Sequence, residues 1–264
     1  VLAQHVTLPP ASRPAAGLLA GARSLNVDEW WRGVAFAEVG CAEPTWRGPC
    51  TSGADSPTSL GVSQQFAPIT IRQGLNCSAL SMSDIRTMAA SRLDVTREYA
   101  MARTLMTGNG TEQDDSGTLN TSIHGQATEL GEQDTVNEAI ARLEEEASKN
   151  LYGARAFIHI PPALAAFVEV NAAWRDGTVW RTMMGNVVIV SPGYFGEDPD
   201  GNLEAARRWV YASGEVYASS GQRTVLFDVD RDVNTSVAWA QELGLVVFDP
   251  CWVAGAPVAS AALS

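Results

Sequence analysis

Residues 81–108, "SMSDIRTMAASRLDVTREYAMARTLMTG", carry the clearest helical period in this 264-residue chain. Ile85, Met88, Ala89, Leu93, Tyr99, Ala102, Leu105 and Met106 form one apolar stripe at helical spacing. Ser83 is placed to cap the N-terminus, Asp84 suits the positive end of the helix dipole, and Gly108 is a natural stop. About 25 residues at ~1.5 Å each give a rod of ~37 Å, longer than most globular helices. Its methionines read as core filler. A fold with such a rod has to build its other elements along it.

Upstream, residues 29–79 alternate in two runs, "WWRGVAFAEVGCAEPTW" and "QQFAPITIRQG", around the Gly/Pro/Ser-rich "RGPCTSGADSPTSLG". This pattern predicts one long, irregular β-hairpin reaching on the order of 60 Å. A two-stranded ribbon is marginal in water, so it must lie along its own body or a neighbouring chain. Residues 1–28, rich in Ala, Pro and Gly, have too little to bury and should order only against a partner.

Downstream of the rod and a polar connection, a second helix starts near the cap Asp134. Val136, Ile140, Leu143, Ala147 and Leu151 face inward there, with residues 144–146, "EEE", solvated. "ARAFIHI" reads as a short strand, and Pro161-Pro162 opens a third helix over "PPALAAFVEVNAAW". The apolar run Val187 to Val190, inside "WRTMMGNVVIVSPGY", is a strand that either walls a pocket or belongs to a core; with no nucleophile, base or ligand set for it to serve, it reads as core. The remainder is β-rich. Helices and strands alternate in the middle while strands gather at both ends, which favours an α+β fold.

Composition closes off several functions. Hydrophobic content of 45% and charged content of 18% fit a globular chain. No apolar run approaches the ~18 residues of a membrane span. No signal peptide is visible, and Val1 reads as routine Met removal or as maturation by a protease. A net charge of −12, with Lys149 the sole lysine and no basic cluster, argues against sequence-specific nucleic-acid binding.

Cys41, Cys50, Cys77 and Cys251 include no Cys-x-x-Cys pair and no His at zinc spacing. They read as separate buried thiols, with a Cys41–Cys50 bond as the alternative. His5, His124 and His159 stand in no nucleophile motif and read as structural. "DVDRDVN" imitates a calcium loop but puts Val233 and Trp239 where Gly and Glu belong. Glu197, Asp198 and Asp200 are a better seat for an opportunistic cation, yet a solvated surface loop is the preferred reading. No catalytic, cofactor-binding or metal-binding residue is assigned, and no cofactor is expected.

The order of the pieces resembles the Hong Kong 97-type major capsid proteins of tailed bacteriophages. In that family a spine helix runs into a Gly-x-Gly turn and a later Gly, matched here by Gly108, Gly110 and Gly117. Ser116 stands where the family often has Pro. A strand-then-Pro step matches Ile160-Pro161, and an aromatic/Gly/apolar strand matches Trp180 and Gly185 to Val190. The closing "DRDVNTSVAWAQELGLVVFDPCWVAGAPV" looks like the last long strand pair of the family's peripheral domain. Arg-over-Lys and Ala-rich usage suits an actinobacterial phage.

The resemblance implies a Hong Kong 97-type α+β capsid fold. Residues 1–28 would be an N-terminal arm and 29–79 an extended β-hairpin, the E-loop. Residues 80–120 and 212–264 would form the peripheral domain with the spine helix, and 121–211 the axial domain. The acidic loop after Val190 would approach a capsomer axis.

It also implies a non-enzymatic subunit that assembles with copies of itself into pentamers and hexamers of an icosahedral head around double-stranded DNA. The place would be the virion capsid, assembled in the bacterial host cytoplasm, with no membrane contact. It leaves room for scaffold, portal and cement or decoration proteins, and for packaged DNA held only non-specifically. Trp30, Trp31, Trp46, Arg47 and Phe66 are the subunit-interface candidates, against an equal case that the aromatics fill the subunit's own core. Residues 29–79 contain no Lys, so the Lys–Asn cross-link of some members should be absent. The competing readings are an encapsulin-like shell or a minor head protein of the same fold. From another class come a hydrolase or a sugar-binding virion protein.

Overall fold

The computed structural model describes residues 17–36, 64–77, 82–108, 121–230 and 235–259. In chain order it begins with α1 (Leu18–Gly21) and β1 (Arg23–Ser24), then a single 3₁₀ turn at Trp30–Arg32. There follow β2 (Val34–Phe36), β3 (Gln64–Phe66), β4 (Ile69–Cys77) and the long helix α2 (Met82–Thr107). The middle holds α3 (Ile123–Gln126), β5 (Thr128–Glu129), α4 (Val136–Asn150), β6 (Phe157–Ile160) and α5 (Pro162–Ala165). Next come β7 (Ala173–Asp176), β8 (Val179–Thr182), β9 (Val187–Val190) and β10 (Arg207–Ser213). The chain closes with β11 (Val216–Ser220), β12 (Thr224–Asp230), β13 (Thr235–Phe248) and β14 (Val253–Ala259).

Two large sheets result. The first is organised by the 14-residue β13, with β12 and β11 in succession along one edge and β4 antiparallel along the other. β1 adds to β11 in parallel and closes that end. The second runs β5-β14-β10-β6-β9-β8-β7. Its centre, the parallel pair β6 and β9, is covered on both faces. Phe157, Val187, Ile189 and Tyr211 face the cluster that contains α2, while Ile158, Val188, Val210 and Ala212 face α4. A parallel strand covered on both faces has no reason to alternate, which is why "VVIV" is apolar throughout. Val187 and Val188 are 2% exposed and Ile189 is fully buried, so β9 belongs to a core and not to a pocket wall.

Several sequence expectations shift. α2 starts before Ser83, whose carbonyl already accepts from Thr87 Oγ1. The expected hairpin survives as a short root, Val34–Phe36 against Gln64–Phe66. Its return limb leaves the ribbon at Pro68, which has no N–H to extend a ladder, and continues as β4 in the first sheet. Residues 37–63, the expected hairpin tip, lie outside the described residues.

The expected final strand pair is split. β13 stays in the first sheet, whereas β14 pairs with β10 along its whole length in the second. The third helix stops after one turn, because Asn137 supplies the partners instead: its side chain donates to the Phe167 carbonyl and accepts from the Glu169 amide. Cys251, in the crossover to β14, is disulfide-bonded and therefore not an inert thiol; the other cysteine side chains lie outside the described residues. No described helix is long and apolar enough to cross a membrane.

Candidate assembly surfaces around the long helix

α2 is the element that the first sheet, α1 and α3 all meet. Its first turns bury one face, at Ile85, Ala89 and Leu93. Its second half is enclosed, with Glu98, Ala100, Met101, Ala102, Thr104, Leu105 and Met106 all buried. The first sheet packs on one side, α1 and α3 on others, and the exit from β9 on another. Met88 and Tyr99, expected inside, are 37% exposed, because the buried face follows Glu98 and Met101.

The close packing at the β9 exit explains Pro192-Gly193. A Cβ on Gly193 would stand 2.7 Å from the Tyr99 carbonyl oxygen and 2.8 Å from the Arg103 amide nitrogen. Only glycine lets the two backbones approach this closely. The acidic loop then lies on the helix. Arg103 grips the Glu197 carboxylate with both terminal nitrogens, Nη2 donating to Oε1 at 2.8 Å and Nη1 donating to Oε2. The same guanidinium lies 4.8 Å from the Phe195 ring centroid, and the Glu197 carbonyl accepts from the Tyr211 hydroxyl at 2.7 Å.

Asp198 closes the loop on Asn202, accepting from its amide at 2.6 Å. Two of the three acids proposed for a cation are thus engaged with protein groups. Among the described residues no cluster of His, Cys, Asp and Glu has the geometry of a metal site.

A second tie fastens α2 to the first sheet. Arg97 donates to Glu242 at 3.0 Å, and Arg223 engages both oxygens of Asp94. Arg223 Nε lies 3.6 Å from Glu242, whose side chain is only 2% exposed. A third tie holds the chain's beginning: the Leu18 amide donates to the buried Glu98 carboxylate at 2.9 Å.

The two described histidines are structural. His159 is buried, with Nδ1 2.9 Å from the Tyr194 hydroxyl and Nε2 3.0 Å from Ser213 Oγ. Ser213 spends its proton on the Gly214 carbonyl, so it accepts from Nε2–H, and Nδ1 accepts from Tyr194. Every ring position is used, and burial pushes His159 down to about 3. His124 packs against Tyr211, its ring centroid 5.1 Å away, and burial lowers it to about 4 despite the Glu197 charge nearby. Glu144, expected to be solvated, instead accepts from Asn186 Nδ2 at 2.7 Å and from Thr182, pinning the β8–β9 turn to α4.

The interface candidates separate. Phe66 is 2% exposed and meets Phe248 edge-on at 5.4 Å, inside its own subunit. Trp30 is half-buried against the same core, whereas Trp31 is 49% exposed. Trp46 and Arg47 lie outside the described residues. Sequence reading missed the buried carboxyl groups Glu98 and Glu242 and the half-buried Arg97. The available signal was positional: Glu98 stands four residues before Ala102 and seven before Leu105, on the buried stripe itself.

No family model matches this chain, and no curated protein matches it. Solved structures do. The capsid of a native GTA particle, computed with C5 symmetry, aligns with a TM-score of 0.60 at 14% identity, over 98% of this chain and 95% of that one. Mycobacterium phage Che8 aligns at 0.53 and 12% identity, over 97% of each chain. The fold is that of the Hong Kong 97-type capsid proteins.

A holo-SrpI encapsulin complex from Synechococcus elongatus aligns as well, at 0.52 and 10% identity over 96% of this chain and 91% of that one. The Hong Kong 97-type fold is therefore shared by phage capsids and an encapsulin shell, and fold alone does not choose between them.

Proposed function

We propose that this chain is a structural subunit of a closed protein shell, the capsid of a tailed phage, built from pentamers and hexamers around double-stranded DNA. The observation that carries the shell reading is the end-to-end correspondence of its fold with phage capsids and an encapsulin shell, and the higher TM-score of the GTA capsid, 0.60 against 0.52, favours the capsid. The chemistry agrees: the described histidines are consumed by internal packing, and Glu197 and Asp198 of the loop after β9 are consumed by Arg103 and Asn202. A net charge of −12 suits a container that must not grip the nucleic acid inside it.

In this reading residues 1–28 are the arm and 29–79 the E-loop, with its root at Val34–Phe36 and Gln64–Phe66. The peripheral part is built on α2 and the first sheet. The axial part is the second sheet with α4, and it takes β14 as well as residues 121–211. Trp31 is the described interface candidate with free surface to offer.

Negative-stain microscopy of the expressed chain, with and without a co-expressed scaffold, tests the proposal. Closed shells of uniform size are expected. Persistent monomers with a compact scattering profile would overturn it, and shells that copurify a protein cargo would move the assignment to the encapsulin-like alternative.

A further inference from the structure

We propose that Glu98 is the latch for the root of the N-terminal segment: its buried carboxylate seats residues 17–24 against α2, and its charge sets how firmly. The proposal concerns the chain itself and stands independently of the shell reading.

The geometry is specific. Glu98 is 2% exposed, in the enclosed half of α2. Its Oε1 accepts from the Leu18 amide at 2.9 Å, in the first turn of α1. A Cβ on Gly17 would fall 1.8 Å from that oxygen, so the carboxylate occupies the space of a side chain at position 17. Beyond the contact, Leu18 is fully buried and Gly21 lies against Ile189 and Val187 of β9. Arg23 and Ser24 then add to the first sheet beside β11. Residues 17–24 therefore form a wedge between the two sheets, and among the described residues Glu98 is its one buried charged contact, the Arg23–Glu215 pair being more exposed.

That charge is poorly compensated. The Ser191 hydroxyl at the end of β9 is buried without a hydrogen bond of its own and lies near enough to the carboxylate to favour its charged form. Arg97 on the same helix is the nearest cation, but it is committed to Glu242. Tyr194 adds a neutral phenol, pushed well above its ordinary value by burial and by Glu98 itself, with His159 behind it held down to about 3. α1 contributes no titratable side chain.

Burial holds the Glu98 carboxyl above the usual carboxylate range, and the amide, hydroxyl and Arg97 only partly offset it. With the root seated, Glu98 thus keeps its proton to higher pH than with the root lifted. Its grip is full below the ordinary carboxylate range and weakens as pH rises through the seated group's value.

Hydrogen exchange on the full-length chain tests this at the amides of Leu18, Ala20, Gly21 and Ala22, from about pH 5 to about pH 8, corrected for intrinsic rate. Protection should fall by up to about tenfold for each pH unit inside the transition. Amides of α4 should not follow. In Glu98→Gln, which keeps the shape and removes the charge, protection at the same amides should no longer vary with pH. A flat wild-type profile, or the wild-type slope retained in Glu98→Gln, would overturn the latch. Ser191→Ala supplies an independent reading should Glu98→Gln fail to fold. Losing the hydroxyl that favours the charged form moves the transition to higher pH, and an unmoved transition overturns the proposal equally.

Discussion

α4 and α2 are both amphipathic-looking helices, yet the molecule treats them in opposite ways. α4 serves one sheet. Val136, Ala139, Ile140, Leu143 and Ala147 are buried on one side, and on the other Arg142 and Lys149 pair with Glu145 and Glu146 in water. α2 serves two sheets and the start of the chain, so its second half has no solvent side to which all its charges can retreat. An enclosed helix can keep charged residues only if each finds a partner. Two ties, Arg97 with Glu242 and Arg103 with Glu197, are that condition met, while the third, Glu98 with the Leu18 amide, is only partly compensated and burial holds its carboxyl above the usual range. They are also the places where separate parts of the fold are fastened to one rod.

The largest effect should come from breaking a tie on α2. Glu242→Ala leaves the Arg97 guanidinium, itself only 12% exposed, without its main partner. Stranding a buried charge typically costs about 3–5 kcal/mol. Asp94 stays 4.0 Å from Arg97, which holds the expected loss near the lower figure, read as a shift in the urea midpoint at unchanged slope. Replacing both partners by apolar residues, Arg97→Met with Glu242→Leu, should recover most of it. A single variant as stable as wild type would show that the enclosed charges are not under stress, and the contrast with α4 would fail.

The close approach of backbones should come second. Gly193→Ala adds one methyl group where Tyr99 O, Ala102 Cβ and the Arg103 amide stand within 2.8 Å. Two of these are main chain of a continuous helix and cannot rotate away. Overpacking of this kind costs about 1–3 kcal/mol. The same denaturation measurement reads it, and a neutral result would mean that the exit loop can lift off α2 freely.

How legible was this in the sequence? The period of residues 81–108 gave α2 almost to the residue, because an apolar stripe is a local signal. The β9 run was legible as buried for the same reason. What escaped was whatever depended on the partner. Met88 and Tyr99 fit the stripe but face outward, since a second sheet and the chain's beginning claim the Glu98 side. "EEE" at 144–146 looks like a solvated run, yet Glu144 is held by Thr182 and Asn186, about forty residues away in sequence. β13 and β14 look like a pair because they are consecutive, and only the register with β10 shows that they part. Charges in ion pairs have no period of their own, so the site around α2 was the least readable part.

The smallest effect belongs to α4, and it completes the contrast. Thr135 caps the helix, its hydroxyl accepting from the Glu138 amide at 3.2 Å, while the Glu138 carboxylate accepts from the Asp134 amide at 3.2 Å. The sequence puts the cap near Asp134, one residue early, because Asp and Thr are both good caps and only the backbone decides between them. Thr135→Ala removes one acceptor from an exposed helix end, where water can take its place, and the usual cost is about 1 kcal/mol. The loss should be local, with faster amide exchange over the first turn of α4 and none at α1 or α2. If Thr135→Ala instead loosened the amides of residues 17–24, the two helices would be coupled through the second sheet. α4 would then share the role of fastening that the ion pairs assign to α2 alone.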